Sequence, residues 1–102
     1  VQNINAYFQE FKNGVLSVNI SNLQRLPVKI IGLQFKDGTL MKAEKNTTLF
    51  GRKPFLPVKH RDIKFNCKTN NSCKRSKIEN QIIFRILGQE SINFSPISPY
   101  YK

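Results

Sequence analysis

Hydrophobic residues recur at every second position along most of the chain and never settle into the 3.6-residue spacing of a helix. Leu16, Val18 and Ile20 alternate with Ser17 and Asn19, and Val28 and Ile30 flank Lys29. Ile82, Phe84 and Ile86 repeat the spacing, interrupted by Ile83 and Arg85. β-branched and aromatic side chains dominate these runs, which suits a pleated surface buried on one face. Turn chemistry separates them. Asn13-Gly14 and Asp37-Gly38 supply the positive φ angles of tight hairpins, and Pro27, Pro54, Pro57, Pro96 and Pro99 mark strand starts, edges or loops.

The pattern predicts strands over 3–11, 14–21, 27–35, 39–44, 56–66, 79–87 and 90–95. Short strands with turn signals roughly every ten residues define an all-β sandwich or small barrel. Within the fifth strand the apolar parity changes between Val58 and Ile63, which a β-bulge near His60 to Asp62 explains. Residues 76–81 have a helical turn as a competing reading, weakened by Asn80. No internal repeat or low-complexity linker divides the chain, so residues 1–102 read as a single domain, with the tail from Pro96 to Lys102 leading to a further connection.

The stretch Gly14 to Leu33, GVLSVNISNLQRLPVKIIGL, resembles the second and third strands of an immunoglobulin-like sandwich. An alternating strand ends in Asn, crosses a short Leu/Pro loop and re-enters as a second alternating strand. The stretch is similar to accessory domains of large bacterial surface and exported proteins. The resemblance implies a single immunoglobulin-like antiparallel sandwich of about seven short strands. It departs from antibody domains in having no Trp and no widely spaced Cys pair to bridge the sheets, so antigen-receptor function does not carry over.

Composition narrows the function classes. A chain of 102 residues builds one core and leaves little for a second layer of machinery, which excludes a multi-domain enzyme. Its 39% hydrophobic content, with eight Phe and three Tyr, is enough to fold. Abundant Asn, Lys and Ile is what AT-rich coding produces without physical selection. The first residue is Val1 and no signal-peptide pattern follows it, which reads as a mature chain or a domain excised from a longer protein. No run nears the roughly 18 apolar residues that span a bilayer, since the best stretch, 28–35, is interrupted by Lys29, Gly32 and Gln34. The four sequons, at Asn19, Asn46, Asn70 and Asn93, would be glycan acceptors in a eukaryotic secretory protein.

Chemistry-bearing side chains are few. Cys67 and Cys73 lie in a polar, turn-rich stretch read as exposed, where a small-loop disulfide fits; closing so short a loop contributes about 2 to 3 kcal/mol. Two incidental thiols are the alternative. A bridge places the chain in an extracytoplasmic compartment. A metal site would have to recruit the single histidine, His60, beside the two cysteines, one ligand short of a structural zinc site. No phosphate loop, nucleophile elbow or carboxylate pair is present, so no catalytic residue, metal or cofactor is assigned and a non-catalytic protein is expected.

Charge is the strongest remaining signal. The chain carries 17 Lys+Arg against 6 Asp+Glu, a formal charge of +11. Arg52, Lys53, Lys59, Arg61, Lys64, Lys68, Lys74, Arg75 and Lys77 are opposed in their segment by Asp62 alone. Such a patch raises the local concentration of an anionic polymer, an anionic lipid head group or an acidic protein surface. The bland reading is that Lys-rich coding has decorated solvated faces. With a bulge beside Asp62, Lys59, Arg61 and Lys64 would share one face at the centre of the patch, Arg61 offering a two-pronged donor. Phe55 and Phe65 interleave with these cations, so a small basic β-barrel binding single-stranded nucleic acid is the alternative. Against it, both phenylalanines fall where a sandwich needs core residues, and no RNP-like motif occurs. The expectation is an extracytoplasmic binding or spacer module with a basic patch.

Overall fold

A computed structural model of the chain describes residues 4–35, 38–67 and 81–98, with the backbone alone at Glu44 and Asn46. Their regular structure is seven strands: β1 (Ile4–Lys12), β2 (Val15–Asn22), β3 (Val28–Gln34), β4 (Leu40–Leu49), β5 (His60–Asn66), β6 (Gln81–Ile86) and β7 (Ile92–Pro96). Neighbouring strands pair antiparallel in two sheets, ordered β1-β2-β5 and β4-β3-β6-β7. The protein is therefore all-β, two sheets packed through their inner faces.

Alternation decides which side chains face inward. Leu16, Val18 and Ile20 of β2 are buried, as are Val28 and Ile30 of β3, Ile63 and Phe65 of β5 and Ile82, Phe84 and Ile86 of β6, and all join one apolar cluster. The β1–β2 hairpin turns on Asn13 and Gly14, whose φ angles of 53° and 74° are both positive, as a two-residue type I′ turn requires. Gly38 likewise has φ 90° in the β3–β4 connection. Pro96 sits on β7, an edge strand, where a missing N–H removes no ladder bond from the sheet interior.

Parity changes are real, but they fall elsewhere than the sequence pattern indicates. In β1 the register shifts between Phe8 and Glu10, so Gln9 is the extra residue. That lets Phe8 and Phe11 reach the same side despite an odd spacing. In β3 the shift lies between Ile30 and Gly32, and Ile30 and Leu33 are both buried on the core side. The expected bulge at His60 to Asp62 is absent: β5 pairs with β2 without a break from Ser21↔His60 to Val15↔Asn66. The parity change between Val58 and Ile63 arises because the strand begins at His60. Residues 56–59, predicted as strand, belong to the connection, where Pro54 and Pro57 interrupt any ladder. β4 in turn runs on to Leu49, well past the expected end at 44.

The last described residues, Ile97 and Ser98, belong to the fold; the rest of the tail, in which a further connection was expected, lies outside the described residues. Ile97 is buried in the core, the N–H of Ser98 donates to the Ala6 carbonyl at 2.9 Å, and the N–H of Phe8 donates to the Ser98 carbonyl at 3.0 Å. This parallel bridge of Ser98 to Tyr7 ties the end of the second sheet to the edge of the first. The competing helical turn at 76–81 lies outside the described residues except at Gln81, which starts β6.

Candidate functional site

β2, β4 and β6 all run toward one end of the sandwich, so their outgoing connections, 23–27, 50–59 and 87–91, gather there. Val28 is opposite both Leu49 and Ile86, and Ser21 is opposite His60. Asn22, the buried last residue of β2, fastens this end. Its Nδ2 donates to the carbonyls of Leu26 at 2.9 Å, Leu49 at 3.1 Å and Phe50 at 3.3 Å, while its Oδ1 accepts from the Gln24 N–H at 3.1 Å. The N–H of Arg52 donates to the Gln24 carbonyl at 2.8 Å. Gly51 lies so close to the Arg25 backbone that a Cβ there would overlap the Arg25 carbonyl. Leu87 joins through its N–H, which donates to the Pro27 carbonyl at 3.0 Å.

Residues 53–56 form a turn in which the Leu56 N–H donates to the Lys53 carbonyl at 3.4 Å. Pro54 occupies the first central position. Phe55, at the second, has φ 65°, where a type II turn ordinarily places glycine. The relative exposure of Phe55 is 105%, with Phe50 at 78%, Leu56 at 57% and Leu26 at 50%. Phe55 is thus a projecting side chain, not the core residue expected, while Phe65 is fully buried as expected.

Behind this tip is a cleft of about 380 Å³, lined by Arg52, Lys53, Leu56, Lys59, His60 and Arg61 among others, and no carboxylate of a described residue lines it. The four cations are exposed and make no ion pair with a described residue. Glu90, in the 87–91 turn, is the one carboxylate among the described residues of these three connections. Such a wall attracts anions through the summed field of its cations, with Arg52 and Arg61 able to fork onto carboxylate or phosphate oxygens.

The structure divides the predicted cation patch. Arg52, Lys53, Lys59 and Arg61 meet at the cleft. Lys64 does not join them: with no bulge in β5, Arg61 keeps the parity of Ile63 and Phe65, while Lys64 stands on the opposite face with Asp62 and His60. Lys64 and Arg61 do border a second cleft of about 260 Å³ beside Lys45 and Thr47. Lys68, Lys74, Arg75 and Lys77 lie outside the described residues, and the chain passes Asn66 at the end of β5 opposite from the 50–59 connection.

Cys67 is buried, contrary to the exposed setting expected, because it continues the inward parity of Ile63 and Phe65. Its Sγ lies 3.6 Å from the Phe65 carbonyl oxygen and 3.9 Å from Met41 Sδ, and its N–H donates to the Gly14 carbonyl at 2.7 Å. Cys73 lies outside the described residues.

His60 belongs to a polar row on the outer face of β2 and β5. Asn19 Nδ2 donates to Asp62 Oδ1 at 2.9 Å, which turns Asn19 Oδ1 toward His60 Nδ1 at 3.2 Å; Ser21 Oγ is also 3.2 Å from that nitrogen. Asn19 Oδ1 can only accept, so Nδ1 carries the proton. Ser21 is buried, which keeps its hydroxyl from any substrate carbonyl, so the row satisfies polar groups and does not assemble a nucleophile. Asn19 is itself 8% exposed with its amide engaged, which removes it as a glycan acceptor in the folded chain. Asn70 lies outside the described residues. Among the described residues no cluster of His, Cys, Asp and Glu could hold a metal ion, and no helix is long and apolar enough to cross a membrane.

Sequence reasoning missed the Asn22 clamp and the projecting Phe50 and Phe55. The usable signal was Pro54-Phe-Leu-Pro57, apolar residues held between prolines where no strand can run. No protein family, curated protein or solved structure matches the chain.

Proposed function

We propose that the chain is a non-catalytic, extracytoplasmic binding module that takes an anionic partner at the end of the sandwich formed by connections 23–27, 50–59 and 87–91. The observation that carries this reading is the cleft lined by Arg52, Lys53, Lys59, His60 and Arg61, with no carboxylate among its described lining residues. Exposed cations with no ion-pair partner among the described residues, most of them on connecting loops held by a buried clamp, are arranged for a ligand more than for stability, since such charges contribute little to the fold. The extracytoplasmic setting rests on pairing of Cys67 with Cys73.

An immunoglobulin-like assignment is supported by the strand order. If β1 to β7 are taken as successive strands A, B, C, C′, E, F and G, one sheet holds A, B and E and the other C′, C, F and G. The constant-type arrangement differs in placing its fourth strand beside the fifth. By fold-level analogy, the gathered connections stand where immunoglobulin variable domains carry their binding loops.

The test is retention on a heparin column. Charge reversal of Arg52, Lys53 and Lys59 together is compared with reversal of Lys12, Lys42 and Lys64, exposed cations on β1, β4 and the outer face of β5. The cleft variant elutes at markedly lower salt than the control variant, although both lose the same charge. Equal elution would mean that retention follows net charge and that the cleft has no part in it. Single-stranded nucleic acid remains a second reading on one observation, the exposed rings of Phe50 and Phe55 beside these cations.

A further inference from the structure

From the same end of the molecule, and resting on the anionic-partner reading, we infer that the partner is the surface of an anionic lipid bilayer, docked by loop insertion. Five exposed apolar side chains gather at this end: Leu26, Phe50, Phe55, Leu56 and Leu87. Arg25, Arg52, Lys53 and Lys59 are exposed on the same connections. Apolar tips that reach the acyl boundary, with cations behind them at head-group depth, are what an interfacial anchor needs.

Each alternative partner leaves part of this arrangement unused. An acidic polysaccharide would pair with the cations and leave the apolar side chains in water. Nucleic-acid bases stack on flat rings, but Leu26, Leu56 and Leu87 offer none. A protein surface takes its anchors in shaped pockets, whereas Phe55 projects from a turn tip with nothing of its own chain against it. A bilayer is deformable and layered, apolar beneath and anionic above, and requires no pocket.

The backbone gives a second, independent sign. Phe55 holds φ 65° in the turn Lys53-Pro54-Phe55-Leu56. A bulky side chain in the left-handed region is an outlier that is usually tolerated only for packing or function. Phe55 packs against nothing in the molecule, so the turn displays the ring outward at a cost the fold does not recover.

The experiment uses the full chain, unmodified and as variants, with vesicles of phosphatidylcholine alone and vesicles containing about 30% phosphatidylserine. The chain has no Trp, so Phe55→Trp reports insertion directly, and exposure of Phe50, Phe55 and Leu56 lets each be changed without loss of the core. The expected result is co-sedimentation with phosphatidylserine vesicles and not with phosphatidylcholine alone, together with a blue shift of the emission from the introduced indole. Phe55→Ser lowers the vesicle partition coefficient about tenfold while heparin retention stays unchanged. Vesicle binding that ignores Phe55→Ser, Phe50→Ser and Leu56→Ser would overturn insertion. Heparin retention through the cleft without vesicle binding would overturn the bilayer and leave the anionic-partner reading standing; loss of both removes both. Phe55-dependent capture of a single-stranded oligonucleotide in preference to vesicles would overturn it in favour of nucleic acid.

Discussion

Asn22 shows how one side chain decides the geometry of a whole end of the molecule. Its amide nitrogen serves the carbonyls of Leu26, Leu49 and Phe50 and its oxygen takes the Gln24 N–H. Asn22→Ala leaves these buried groups unpaired and lowers stability by about 2 to 3 kcal/mol in urea denaturation. Asn22→Asp is at least as damaging at neutral pH, because it sets a carboxylate against three carbonyl oxygens with no proton to donate; an Asp variant of full stability would refute the clamp. Two phenylalanines make a sharper residue-scale contrast. Phe65 is fully buried, so Phe65→Ala costs roughly 3 to 5 kcal/mol. Phe55→Gly removes no packing and relieves a left-handed φ worth about 1 to 2 kcal/mol, offset by roughly 0.4 to 1 kcal/mol of extra unfolded-chain entropy. The unfolding midpoint therefore holds or rises, and a drop of more than about 1 kcal/mol would mean that the ring packs on the protein. Hydrophobicity alone could not separate these residues, since both are Phe beside cations. The difference lies in Pro54 and Pro57, which deny residue 55 a strand.

At the scale of elements, period-two alternation together with the turn residues located the seven described strands, though not the end of β4 or the start of β5, because on a strand each apolar residue shares a face only with residues two positions away. Asn13-Gly14 was legible for the same kind of local reason, as few residue pairs take positive φ twice. What alternation could not locate were the bulges. Ile30 and Leu33 face inward together because Ile31 is the extra residue in β3, but an inserted residue looks in sequence like any other member of an apolar run. A strand start, as at His60, produces the same parity change as a bulge, and only pairing to β2 tells them apart. That ambiguity carried into the site: a bulge would have gathered Lys64 with Arg61, whereas an unbroken β5 sets them on opposite faces. The inward parity of β5 also brings Cys67 into the core. Joined to Cys73, it is protected from alkylation in the native, unreduced chain, and after reduction and unfolding both cysteines are modified, as read by intact mass. Because burial alone could shield Cys67, the deciding arm is the chain unfolded without reductant. Two alkyl groups there would exclude the bridge and, with it, the argument for an oxidising compartment.

At the scale of the whole molecule, a two-sheet sandwich is held together by burial between the faces, and its lateral openings are weak points where strand edges stand free. On one side the end of the chain closes the gap: Ile97 enters the core, and Ser98 exchanges backbone bonds with Ala6 and Phe8 on β1. The contacts join residues some ninety positions apart in sequence, so no local pattern could have disclosed them, and a short Pro/Ser-rich tail reads as a connection. Their loss is measurable. A chain ending at Pro96 forfeits two backbone hydrogen bonds at about 1 kcal/mol each and the burial of an Ile side chain at roughly 2 to 5 kcal/mol. That is a large share of the roughly 5 to 15 kcal/mol by which a domain of this size is stable. The expected outcome is an unfolding midpoint lowered by many degrees, with accelerated hydrogen exchange along β1 while β3 and β6, inner strands of the other sheet, stay the slowest to exchange. Ile97→Ala with Ser98 kept isolates the packing share and gives the smaller part of the drop. If the truncated chain kept its full midpoint, the parallel bridge would contribute nothing to stability. β1 would then be held by β2 alone, and the sandwich would stand without its lateral closure.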